Sequence, residues 1–484
     1  MSKILLAAPL AVLLAGCTTA VPQALSPQLV PKSVSSPVPD SATVWPKTGW
    51  WADFGDPAMS RLVIEAQTNN RDIAAAAARV LQAEAQATIQ RGALFPQIDA
   101  QVQQGGGNCS GQACVSYPSG KSFALGFGAT YELDFWGLAR SNLRAAQEQL
   151  KAARFARQSV AVTVTANVAS RYLEVLALRS RAVIANQNIA AINGILDIIA
   201  LRVKAGAASH LDLAREHAQL ESVQAQLPNL ETQEKQALFA LAVLLGHPPE
   251  GFDVAGKTLD GIAAPAVGPG LPSDLLLRRP DVAAAEADLA AAHANLDAAR
   301  AAFLPQISLS SAGGFASGAI GTLLQGSNSG VGYGVELLQT IFDGGKLSGQ
   351  RDLAEAVQTE AIARYQTAVL NAYADVEGWL TQYANTSRSE QHLRSLIAAA
   401  REAFEISQLQ YRQGATDLLN VLQAQQTLFS AEDQLVQVTL ANRQAAVHLF
   451  EALGGGWQET PADRTQTFAP IPEIAALQGE PDKN

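Results

Sequence analysis

Hydrophobic and polar positions alternate one by one in four short stretches. Over 123–135 the odd positions are Phe123, Leu125, Phe127, Ala129, Tyr131, Leu133 and Phe135, while the even ones are Ala124, Gly126, Gly128, Thr130, Glu132 and Asp134. Ile98, Ala100 and Val102 alternate with Gln97, Asp99, Gln101 and Gln103 in the same way, and Val331, Tyr333, Val335 and Leu337 alternate with Gly332, Gly334 and Glu336. Ile307 and Leu309 oppose Gln306, Ser308 and Ser310. A period of two predicts strands with one apolar face, which suits a half-buried soluble sheet or a lipid-facing barrel wall.

The intervening pattern is helical and very long. Arg140–Lys204 and Lys346–Gln413 contain no proline, and at about 1.5 Å per residue a helix of either length spans about 100 Å. Both stop at a glycine, Gly206 and Gly414, suited to the left-handed position that ends a helix. Asp212 and Asp417 stand in the first turns that follow, where an acid meets the positive end of the helix dipole. Pro228 is expected to break the first returning helix; its counterpart in the second is Val436.

These elements occur twice. Asp72–Ile98 lies on Asp281–Ile307 without a gap, with about a dozen of 27 positions identical, and Phe95-Pro96-Gln97-Ile98 meets Leu304-Pro305-Gln306-Ile307. Alanine richness alone does not produce such landmarks at a constant offset, so the chain is a duplication. The expected organisation is a signal peptide over 1–16, a tether over 17–46, repeats over 47–256 and 273–456 with a Gly/Pro-rich seam at 257–272, and a polar tail over 457–484. Each repeat reads as short helix, strand pair, long helix, tight turn and returning helix. The fold class is mainly α with a small β part.

Composition narrows the setting. Of 484 residues 48% are hydrophobic and only 16% charged, with a net charge of −10; that is more apolar than a disordered chain and less charged than a typical soluble surface. The acidic balance argues against nucleic acid as a partner. No uninterrupted apolar run is long enough for a membrane-spanning helix, so a membrane crossing must use strands. The start of the chain reads as an address: Lys3, an apolar run from Ile4 to Ala15, then Leu14-Ala15-Gly16-Cys17, a secretory signal ending in a lipobox-like site at which Cys17 would be acylated. Thr18, rather than Asp, after the cysteine favours the outer membrane. Four strands cannot close a barrel, and an open edge cannot persist in lipid, so two chains would pool 8 strands and three would pool 12; the strand count alone leaves both open.

Lipobox, duplication, hairpins and long helices together resemble the TolC-like outer-membrane efflux proteins, in the lipidated branch that serves RND pumps. Trp50-Trp51-Ala52-Asp53-Phe54-Gly55-Asp56-Pro57 and Leu271-Pro272-Ser273-Asp274-Leu275-Leu276-Leu277-Arg278-Arg279-Pro280-Asp281 carry the likeness. The resemblance implies a homotrimer whose strands form a shared 12-strand β-barrel in the outer membrane and whose helices form an α-barrel reaching into the periplasm. It also implies a periplasmic adaptor and an inner-membrane RND pump as partners, with export of small molecules or drugs as the function. Hairpin tips around Gly206 and Gly414 would then be the closed periplasmic entrance. Asp212 stands where family members carry a pore aspartate, although a plain helix-start acid explains it better. Asn420 and Gln423 replace acids in the second hairpin. Tyr411 fits a tip tyrosine, and Tyr411 with Arg412 is expected to latch to the neighbouring hairpin.

No enzyme or cofactor chemistry is expected. The six histidines are scattered, and His210 and His217 lack a third ligand. Asp343-Gly344-Gly345-Lys346-Leu347-Ser348 lacks the leading glycine and the Mg²⁺-binding hydroxyl of a phosphate loop, and reads as the turn from a strand into a long helix. Cys109 and Cys114 flank four small or polar residues in an exported loop and are expected to pair. Two other functions fit part of the pattern: a duct for type I protein secretion, or a periplasmic coiled-coil scaffold without a pore.

Overall fold

The computed structural model describes residues 46–107, 120–265 and 278–457. Cys17, Cys109, Cys114, the signal and most of the tether lie outside them, as does the tail beyond Trp457. A 3₁₀ turn at Trp50–Phe54 leads into α1 (Pro57–Asn69) and α2 (Arg71–Gly92). The strands β1 (Gln97–Gly107) and β2 (Gly120–Glu132) follow, then α3 (Leu138–Lys204). The return is split into α4 (His210–Gln224) and α5 (Leu227–Leu245), with Pro228 in the first turn of α5. The second repeat comprises α6 (Pro280–Ala301), β3 (Gln306–Ser317), β4 (Ser329–Leu338), α7 (Lys346–Gln413) and α8 (Leu418–Ala452). With Val436 in place of the proline, α8 runs unbroken. Proline removes an amide donor and clashes with the preceding turn, and that single difference divides one return and spares the other.

The strands form one antiparallel sheet in the order β1-β2-β3-β4. The alternating pattern overruns its strand: β2 ends at Glu132, because Asp134 turns away to cap α3.

The core sits midway along the helices. Trp50 stacks on Phe450 at 5.0 Å, and around them pack Phe54, Met59, Val63, Tyr172, Leu173, Leu176 and Leu241. α3 includes an 18-residue window with a mean hydropathy of 1.4, apolar enough by composition and length to cross a membrane, of which 33% is buried; the part of α3 most buried in this core is a separate stretch, Val164 to Leu178. The expected seam is packed in part, since Leu259 and Ile262 join the same core. Arg179 gathers Glu234, Asp253 and the carbonyls of Val254 and Gly256 around one guanidinium. Arg279, the second arginine of the Leu271–Asp281 motif, is only 9% exposed. It pairs with Asp281 (2.7 Å) and Asp375 (3.0 Å) and donates to the Ala452 carbonyl, tying α6, α7 and α8 together.

Close approach fixes Gly454–Gly456, where all three φ angles are positive. A Cβ on Gly454 would lie 1.9 Å from the Arg278 carbonyl oxygen. Trp457, expected in the tail, packs edge-on against Phe155 at 5.6 Å. Gly454→Ala combines left-handed strain of about 1–2 kcal/mol with a backbone collision. A melting temperature lowered by several degrees is expected in thermal unfolding of the purified protein; an unchanged one would contradict this packing.

Candidate functional site

The sheet presents two chemically distinct faces. Register aligns Ala100, Phe127, Gly313 and Val331 across all four strands, and likewise Ile98, Ala129, Ser311 and Tyr333. On this face Val102, Phe127, Val331 and Tyr333 are 79%, 59%, 86% and 93% exposed, far more apolar surface than a sheet in water leaves bare. The opposite face carries Gln97, Asp99, Gln101 and Gln103 on β1, then Gly126, Gly128, Thr130 and Glu132 on β2. On β3 and β4 it carries Ser308, Ser310, Gly332, Gly334 and Glu336. Small and amide side chains keep that side open and wet, as in the wall of a water-filled barrel. Gly314 is obligatory within it, because a Cβ there would fall 2.3 Å from the Leu125 carbonyl. β1 and β4 each pair on one side only.

Two aspartates turn strand into helix at equivalent points of the repeats. Asp134 accepts from the amides of Ala139 and Arg140, both at 2.9 Å, and from Arg140 Nε. Asp343 accepts from the amides of Leu347 (2.8 Å), Gly345 (2.9 Å) and Lys346 (3.2 Å). These donors, Leu347 foremost, hold its carboxyl below the ordinary range. Asp343-Gly344-Gly345-Lys346 is therefore a helix cap. Phe135, Trp136, Ile341 and Phe342 stand exposed at the same level, 69%, 43%, 89% and 90%, and Trp136 Nε1 donates to the Pro305 carbonyl at 2.7 Å. Apolar and aromatic residues gathered there have the composition of a membrane-interface girdle.

About 100 Å away by helix rise lie the tips. Gly206 (φ 72°) and Gly414 (φ 77°) close both long helices with the same pair of bonds. Ala207 N donates to Arg202 O and Ala415 N to Gln410 O, both 2.8 Å, while each glycine donates one turn back. Asp212 forms a capping box with Ser209, accepting from its amide (3.1 Å) and hydroxyl (2.9 Å). Its carboxylate thus serves the start of α4. Asp417 is the N-cap of α8 and not part of its first turn, and Asn420 donates to it (3.2 Å) and to Thr416 Oγ1 (2.8 Å).

Tyr411 is buried at 4% exposure in a small separate core with Ile195, Ile199, Leu418 and Val421. The cation beside it is Arg202 of the first hairpin: its guanidinium lies 4.6 Å over the Tyr411 ring and donates to the Tyr411 carbonyl. Arg412 is exposed. Sequence reasoning passed over Arg202 because nothing local distinguishes it from the other helix-end basic residues; its partner is 209 residues away. Also passed over was Glu216, a lone acid on an amphipathic helix, which is wholly buried. Among the described residues no cluster of three or more His, Cys, Asp and Glu could hold a metal ion.

A family model described as outer membrane efflux protein matches the chain twice, over residues 62–247 and 271–455. The chain is 38% identical to the pyoverdine export outer membrane protein OpmQ of Pseudomonas aeruginosa, over 84% of this chain and 87% of that one. It is 28% identical to the cation efflux system protein CusC of Escherichia coli, over 93% and 98%. Among solved structures, the outer-membrane channel OprN superposes with a TM-score of 0.82 at 27% identity, covering 89% of this chain and 98% of that one.

Proposed function

The chain belongs to the outer membrane efflux protein family, and from that premise we propose that three copies form the exit duct of a tripartite, RND-type pump. An efflux protein of the outer membrane needs a continuous wall in lipid. Among the described residues one chain supplies four strands with two unpaired edges, and every backbone group in hydrocarbon needs a partner. Eight strands make a barrel whose interior side chains nearly fill; a duct needs more, and three chains give twelve. The observation that carries this reading is the sheet itself, apolar on one face and Gln-, Gly- and Ser-rich on the other, with both edges open.

The helices then carry the lumen across the periplasm, and the tips around Gly206 and Gly414 close it and receive the adaptor. Small molecules are the cargo. The relatives' names already range from pyoverdine to cations, as expected of a duct whose selection is made at the pump. The protein is not an enzyme, and protein secretion remains the second reading. Conductance across planar bilayers, with a heat-resistant species of three chains on gels, tests the duct; a monomer without conductance would refute it.

Cys17 is assigned the lipid anchor, with the chain in the lipidated branch, and Cys109 and Cys114 a local disulfide. Two or more acyl chains, at about 0.8 kcal/mol per buried CH₂, hold a protein firmly at a membrane. Cys17→Ala is expected to abolish incorporation of radioactive palmitate and to slow processing of the precursor. Full labelling of that variant would remove the anchor assignment.

A further inference from the structure

We propose that Glu216 makes closure of the hairpin tips proton-dependent, so that the tips loosen as the pH rises. The inference rests on the reading of the tips as the closed end of the duct. Glu216 lies on the face of α4 shared with Leu213, Leu220 and Val223, which pack into the core. Its exposure is 0%, and neither carboxyl oxygen has a hydrogen-bond partner. Nearby, the Tyr411 hydroxyl of α7 is also buried without a partner.

The charged and titratable groups around it are few. α3 contributes Arg202, turned to the Tyr411 ring and carbonyl. α7 contributes Tyr411, whose hydroxyl is pushed up by burial first, with Arg202 opposing and Asp212 and Glu216 adding. α4 itself contributes Asp212, already engaged by Ser209. On α8, Leu418 and Val421 share the small core with Tyr411 and Leu213, and both are uncharged. No cation pairs with the Glu216 carboxylate, so packing of the tip favours its acid form.

Burial raises this carboxyl from 4.5 to about 7. Opening returns it to water and to the lower value, so the closed tip binds the proton more tightly than the open one. Closure is fully supported below pH 4.5, weakens as pH rises through 7, and is flat above that. Between pH 5 and 7.5 the ratio of closed to open tips is expected to fall roughly 50-fold. Glu216→Gln keeps the size and removes the charge, and Glu216→Met does so without an amide; both should stay closed at every pH.

The test is hydrogen exchange of the full chain in lipid discs at pH 5, 6 and 7.5, corrected for intrinsic rates, with conductance recorded in parallel. Wild-type protection over 199–216 and 404–420 should drop with pH, and both variants should remain protected. Protection that is flat in wild type, or equally pH-dependent in both variants, overturns the proposal. If protection follows pH and conductance does not, the proton latch stands and the assignment of the tips as the gate fails.

Discussion

Arg202→Ser is expected to raise the open-to-closed ratio of each chain's tip about sixtyfold. In the structure this side chain ties the end of the first hairpin to the second: its guanidinium covers the Tyr411 ring and donates to the Tyr411 carbonyl. A partly desolvated cation–π contact contributes about 1 kcal/mol, and a hydrogen bond from a charged donor about 1.5 kcal/mol or more. Removing both costs the closed tip about 2.5 kcal/mol per chain, and about 1.4 kcal/mol is tenfold in a two-state ratio. Arg202→Lys keeps the charge but loses the planar stack, so it should fall between. Asp212→Ala should behave differently. Its carboxylate is bound into the Ser209 capping box, so its loss frays the first turn of α4 by about 1 kcal/mol and leaves ion preference nearly unchanged. Single-channel recordings of the three variants decide. Wild-type currents from Arg202→Ser would show that this contact does not hold the tips, and a lost cation preference in Asp212→Ala would return that residue to the pore.

Phe127→Arg is expected to abolish insertion in the outer membrane. Phe127 lies midway along β2, between Ala100 and Gly313, on the apolar face, and is 59% exposed in the single chain. Arginine on the lipid face at mid-depth costs about 2–4 kcal/mol, and three chains multiply it. Gln101→Arg supplies the comparison. Gln101 opposes Gly126 on the other face, where the same charge would stand in water, so this variant should assemble and shift ion selectivity toward anions. Membrane fractionation and heat-modifiability on gels read both. Equal assembly of the two variants would mean that the sheet does not face lipid in the way its register implies.

Much of this protein was legible along the chain because its determinants are local. A period of two marked the strands, and β1 and β3 begin at Gln97 and Gln306 with the apolar face the alternation assigns. Proline-free length marked α3 and α7, 67 and 68 residues long. Glycine at 206 and 414 marked their ends, since only a left-handed residue completes that bond pair. Pro228 marked the one broken return. Duplication was readable because the two repeats keep the same landmarks, and with the Trp50–Pro57 and Leu271–Asp281 stretches it carried the family resemblance.

Tertiary structure decided what depends on residues far apart. Nothing adjacent to Arg202 says that it will meet Tyr411. Glu216 looks like any acid on an amphipathic helix until the fold shuts water away from it. Asp212 fitted two roles in sequence, and the Ser209 hydroxyl and amide show its carboxylate engaged in the cap. Arg279 stood in a motif without a stated purpose; packing three helices around it made it a buried ionic knot. Periodicity and turn chemistry are written within a few residues, so sequence alone fixes elements and their ends. Burial and charge pairing are sums over the whole fold, so only the packed chain determines which of many similar side chains are buried and which are paired.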